Sequence, residues 1–79
     1  MVGLYLVKAD RDVSIRTVET SSMNGIPTAN ESSIGGGGLF RVSHVEDGIA
    51  YIEWRGESDW YTEVEELDNA IRVEETYSV

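Results

Sequence analysis

The chain has no cysteine, one proline, one histidine and one phenylalanine, and only six lysines and arginines among its 79 residues. Without cysteine there is neither a disulfide staple nor a thiolate zinc site. The one imidazole, His44, stands beside Glu46 and Asp47, but a lone histidine gives weak ligation, so no metal is expected. No serine carries a nucleophile motif, and a domain this small has little room for a deep, water-excluding cleft. No catalytic residues and no cofactor are therefore expected. Apolar runs are short as well. The N-terminal run Val2-Gly3-Leu4-Tyr5-Leu6-Val7 lacks a basic flank and a cleavage site, and nothing approaches the ~20 residues of a membrane helix. The default expectation is a cytoplasmic protein. Six scattered cations form no patch, which argues against direct nucleic-acid binding and against docking on anionic lipid.

The chain does have carboxylates, unevenly placed. Up to Val45 the charges balance: Lys8, Arg11, Arg16 and Arg41 against Asp10, Asp12, Glu19 and Glu31. From Glu46 onward Asp47, Glu53, Glu57, Asp59, Glu63, Glu65, Glu66, Asp68, Glu74 and Glu75 follow, against Arg55 and Arg72, so this part holds the whole net charge of −9. A solubilising surface normally mixes signs. A one-sided field attracts basic partners.

The length allows one domain, 1–79, with a core near the lower limit for unaided stability. Short β-branched and aromatic runs broken by turn residues predict strands. Residues 3–8 form the first and Asp12 to Thr20 the second, with Asp10-Arg11-Asp12 suited to a hairpin turn between them. Ser21 to Gly38 reads as a long flexible Gly/Ser loop (about 21–38), with a turn signal at Asn24-Gly25, Pro27 excluding a central strand, and Gly35 to Gly38 as a connector. Asp47-Gly48 between Leu39–Val45 and Ile49–Trp54 predicts a type I′ hairpin. Phe40 and Val42 share a face while Val45 has the opposite parity, which predicts a bulge near Ser43 or His44. After Ser58 two patterns compete. Trp60, Thr62 and Val64 inward against Tyr61, Glu63 and Glu65 make a strand, followed by a turn at Glu66-Leu67-Asp68-Asn69 and a last strand with Ile71 and Val73 inward. Alternatively, Trp60, Val64, Leu67 and Ile71 make a helical stripe. The first is preferred, because Asp68-Asn69 is disfavoured mid-helix. The expected fold is mainly β, a small barrel or rolled antiparallel sheet with the long loop; the alternative is α+β with a C-terminal amphipathic helix over about 59–73.

Residues 38–75 resemble the small five-stranded barrels of the Tudor-like type. The resemblance rests on Gly38 before Leu39-Phe40-Arg41-Val42, the Asp47-Gly48 hairpin, aromatics Tyr51 and Trp54, the strand Trp60–Val64, Glu66-Leu67, and closing Ile71-Arg72-Val73. It implies a strand meander closed by a one-turn element. In size and charge the chain is also similar to the small acidic proteins with which phages disable host machinery.

These features predict a non-enzymatic domain that docks on and inhibits a partner protein with a basic surface, a host protein in the host cytoplasm if phage-encoded. The expected contact set is Tyr61, Glu63, Glu65, Glu66 and Asp68, because aromatics beside charge make interface hot spots. The alternatives are a nucleic-acid mimic occupying a DNA or RNA groove, and a structural or assembly module, virion-related, that pairs through a strand edge or the loop.

Overall fold

The computed structural model describes the backbone of residues 1–20 and 27–73, and among these the side chains of residues 1–17 and 30–73. It is mainly β, a curled antiparallel half-barrel with almost no helix. The strands are β1 (Gly3–Val7), β2 (Asp12–Thr20), β3 (Pro27–Gly35), β4 (Leu39–Glu46), β5 (Ile49–Trp54), β6 (Glu57–Glu63) and β7 (Ala70–Val73), with a 3-10 turn over Val64–Asn69. They form one sheet in the order β3-β2-β6-β5-β4-β1-β7.

The short crossovers require the curl. Strand β1 lies four positions from β2, which in a flat sheet is ~19 Å at ~4.8 Å per strand. The link between them, Lys8 to Arg11, is itself a tight turn closed by Arg11 N–H to the Lys8 carbonyl at 3.0 Å. Such a link spans the gap only when the sheet rolls up. The links from β3 to β4 and from β6 to β7 also cross four positions, and all three crossovers meet. Lys8 N–H donates to the Asn69 carbonyl, Gly37 N–H to Val7 and Val7 N–H to Gly38, each at 2.9 Å. Arg11 Nη1 donates to Asn69 Oδ1 at 3.2 Å.

Alternation on the strands fills the interior with Val7, Val13, Ile15, Ile34, Phe40, Val42, Ala50 and Ile52, joined by Tyr5, Leu67 and Ala70. Tyr5 stacks on Phe40 with centroids 5.5 Å apart, and its hydroxyl donates to the Met1 carbonyl. Trp54 and Trp60 meet edge to face at 5.8 Å against this core.

The local features expected from the turn residues are present. Asp47 and Gly48 have φ of 51° and 77°, the paired left-handed residues of a type I′ turn, and Arg55 and Gly56 repeat them at 53° and 80°. The register shifts between Val42 and His44, so Val45 returns to the core side. After Ser58 the chain is strand, turn and strand. The C-terminal helix over 59–73 does not form, because β6 pairs with β5 through Ile52↔Trp60 and Ala50↔Thr62 and the turn inserts only Leu67.

Four expectations are corrected. Residues 27–35 are not loop: β3 pairs with β2 from Asp12↔Gly35 to Thr20↔Pro27. It is an edge strand, with Pro27 as its first residue, and both positions tolerate a missing N–H. Asp10-Arg11-Asp12 does not close a hairpin, since β1 pairs with β4 and β7 while β2 pairs with β3 and β6. The glycine run is not a slack connector. A Cβ on Gly36 would lie 2.3 Å from the Ala9 carbonyl oxygen, so the meeting of crossovers requires glycine there. Finally, Ile71 and Val73 both face outward, opposite Leu6 and Leu4, with Ile71 54% exposed, and Ala70 takes the inward place opposite Val7. The turn expected at Asn24-Gly25, and carboxylates Glu74 and Glu75, lie outside the described residues.

Candidate functional site

The convex face of the sheet carries one continuous row. Cross-strand register sets His44 of β4 opposite Tyr51 of β5, Tyr51 opposite Tyr61 of β6, Tyr61 opposite Arg16 of β2, and Arg16 opposite Glu31 of β3. The His44 ring stacks on Tyr51 at 5.5 Å and 26°. Tyr51 is 40% exposed, large for an aromatic in the middle of a sheet. The bulge puts His44 in this row: without the extra residue at Ser43, the β4–β5 register would turn the imidazole to the other side.

Carboxylates bracket the two tyrosines along the strands. On one side Glu46 and Glu63 both lie opposite Ile49. On the other side is Glu53, two residues beyond Tyr51; Asp59 of β6 lies where the β5–β6 register shifts, and its Oδ2 accepts a hydrogen bond from the hydroxyl of buried Thr17 at 3.2 Å. At ~3.4 Å per residue, the Ile49 and Glu53 levels are ~14 Å apart. Arginines stand at the flanks: Arg41 opposite Glu53, and Arg16 with Nη2 3.6 Å from Glu63 Oε1. The Glu63 pair is exposed on both sides, so it dampens the local field without burying charge.

The five expected contact residues divide between two places. Tyr61 and Glu63 lie in the tyrosine face on β6, with Tyr61 half-buried and Glu63 exposed. Glu65 and Asp68 are exposed on the 3-10 turn. Glu66 is half-buried and reaches across to β2, where its Oε1 accepts a hydrogen bond from Ser14 N–H at 2.9 Å. The turn begins beside the β4–β5 hairpin, through Val64 N–H to the Gly48 carbonyl at 2.9 Å, so Asp47 joins the acidic end of the molecule. Sequence grouping alone leaves out His44, Arg16, Glu46, Glu53 and the centring of Tyr51. The alternation Ile49, Tyr51, Glu53 signals one face, but the partner strands come from distant parts of the chain.

Two open clefts border this surface. One of about 280 Å³ is lined by Leu4, Leu39, Arg41, Glu53, Trp54 and Arg55, with the Arg55 guanidinium 4.8 Å above the Trp54 ring. The other, about 360 Å³, runs over Ser14, Arg16, Glu31 and Ser32 of β2 and β3. Neither contains His44. Among the described residues there is no group of three His, Asp or Glu side chains able to hold a metal ion, and no helix long and apolar enough to cross a membrane. Compared with protein-family models, with curated proteins and with solved structures, the chain matches none.

Proposed function

We propose that this chain is a non-enzymatic, acidic protein-binding domain that docks on a basic surface of a partner protein and blocks it. The observation that carries this reading is the Tyr51–Tyr61 pair on the convex face with carboxylates at both ends, Glu46 and Glu63 on one side and Glu53 on the other. The tyrosines supply rigid, amphipathic contact area and a π face for a lysine or arginine. The surrounding carboxylates speed encounter with a positive partner. Tyr51 enters the contact set and Glu66 leaves it, because its carboxylate is engaged by Ser14. Glu65 and Asp68 extend the same charge onto the adjoining turn.

The Tudor-like character of residues 38–75 belongs to the same proposal. It is supported by the succession of β4, β5, β6, one 3-10 turn and closing β7. A cytoplasmic setting, in the host if the chain is phage-encoded, is part of the reading too.

The test is affinity capture with the tagged protein at low and high salt, followed by association kinetics with the captured partner. Association slows steeply with salt, and Glu46→Lys with Glu63→Lys slows it further. A rate that stays constant across a wide salt range overturns the proposal. Competition between the domain and nucleic acid for one target narrows it to mimicry of a nucleic acid.

A further inference from the structure

The two edges of the sheet differ. Strand β7 is four residues long and β3 is nine. A short edge gives an incoming chain little to pair with, and long edges are usually guarded by lysines, prolines or bulges. Strand β3 has no lysine, its one proline is its first residue, and its register to β2 runs unbroken from Asp12↔Gly35 to Thr20↔Pro27. The bonds that β2 makes on its other side settle which groups of β3 face the open edge. Ser14 N–H donates to Glu66 Oε1 and the Ser14 carbonyl accepts from the Thr62 hydroxyl, so both backbone groups of Ser14 point away from β3. Its partner Ser33 therefore sits in a pair that exchanges no ladder bonds, and such pairs alternate along an antiparallel ladder. Ala29, Glu31 and Ser33 thus turn N–H and C=O outward, at steps of ~6.8 Å. Beyond them the Gly35 carbonyl is taken by Gly38 N–H at 3.0 Å. Among the described residues no strand pairs with this side of β3. An extended backbone matches such a row group for group.

Charge selects the strand. The described charged side chains of β2 and β3 are Asp12, Arg16 and Glu31. Arg16 stands opposite Glu31, but its Nη2 lies 3.6 Å from Glu63 on the β6 side, and among the described residues Glu31 makes no ion pair. The cleft of about 360 Å³ beside it, between small Ser14 and Ser33, has Glu31 as the one carboxylate in its lining. We infer that β3 accepts an antiparallel strand from a basic partner, with a lysine or arginine opposite Glu31. That cation makes the cross-strand pair that Arg16 leaves unmade, and the cleft has room for its aliphatic stem. A second copy of this chain brings another Glu31 and another net charge of −9 instead. The added strand prolongs the row Tyr51, Tyr61, Arg16 and Glu31 by one position. The inference therefore rests on the reading of a basic partner and names the form in which that partner binds.

The test adds a capped synthetic peptide of alternating threonine and lysine, about seven residues long, up to about 2 mM. Amide exchange and chemical shifts of the full chain are read by NMR. The amides of Ala29, Glu31 and Ser33 become protected, and the same peptide N-methylated throughout, which keeps its charge and loses its donors, leaves them exchanging. Glu31→Lys lowers the affinity by about fivefold. Ser33→Pro removes an outward N–H that the β2 ladder does not use, so the fold persists while protection of Ala29 and Glu31 is lost. Three protected amides with the Tyr51 and Tyr61 signals unmoved sustain the inference and tell against the tyrosine face. A peptide that shifts the tyrosine signals and leaves the three amides exchanging overturns the inference and leaves that face standing. No protection at any peptide concentration overturns it, as does equal protection by the N-methylated peptide. Protection that rises with protein concentration in the absence of peptide assigns the edge to a second copy and overturns it too.

Discussion

Glu66 Oε1 accepts a hydrogen bond from the backbone nitrogen of Ser14 at 2.9 Å, tying the 3-10 turn to the start of β2 across 52 positions of chain. Its neighbours Glu65 and Asp68 point to solvent. A carboxylate inside an acidic run thus has a folding role that the ones beside it do not share. Thr62 adds a second tie to the same residue, its hydroxyl donating to the Ser14 carbonyl.

Glu66→Ala leaves the Ser14 N–H without its acceptor and is expected to lower stability by about 1 kcal/mol. Glu66→Gln retains an oxygen in place and loses less. Glu65→Ala, on the exposed neighbour, changes stability within about 0.5 kcal/mol. Urea titrations of the three variants check the order.

Thr62→Val keeps the shape of a buried side chain and removes only the donated hydrogen bond to Ser14. The expected loss is about 1 kcal/mol, with the slope of the unfolding transition unchanged. An unchanged midpoint would mean that the bond contributes nothing.

Two adjacent glycines are predicted to behave differently. Gly36→Ala drives a Cβ to within 2.3 Å of the Ala9 carbonyl oxygen, where backbone must move on both sides. It is expected to cost about 3 kcal/mol or more, enough to unfold a domain of this size. Gly37 has φ of +86° and open space around its Cβ position, so Gly37→Ala meets only backbone strain, about 1 kcal/mol. Thermal melts of both variants decide; equal, small losses would restore the picture of a slack connector.

Trp60 Nε1 is buried without a hydrogen-bond partner among the described residues. Trp60→Phe removes a desolvated donor together with some packing against Trp54. The two effects oppose, so the net loss is expected to stay below about 1.5 kcal/mol, whereas Trp60→Ala costs about 3 kcal/mol. Equilibrium unfolding followed by circular dichroism measures both without relying on the tryptophan signal.

On the convex face, Tyr51→Ala is expected to weaken partner binding by about tenfold or more through faster dissociation, while Glu53→Lys acts mainly on association. Surface plasmon resonance with the captured partner separates the two rates. Equal effects of both substitutions on association alone would remove Tyr51 from the contact.

The sequence by itself determined the features that depend on neighbours along the chain. Asp47-Gly48 specified a type I′ turn because both residues tolerate positive φ. The parity break between Val42 and Val45 specified a bulge, since a period-two pattern can change face only by an extra residue. Trp60 to Val73 specified strand, turn and strand because Asp68-Asn69 interrupts a helix. Only the tertiary structure decided the rest. The Ser-rich stretch 27–35 carries little apolar patterning of its own, and it becomes a strand because β2 offers it a full ladder of hydrogen bonds. Gly36 looks like slack until the Ala9 carbonyl approaches it. The row from His44 to Glu31 joins strands far apart in the chain. Closing the sheet brings those strands together, because the curl sets which distant strands become neighbours and so which side chains share a face.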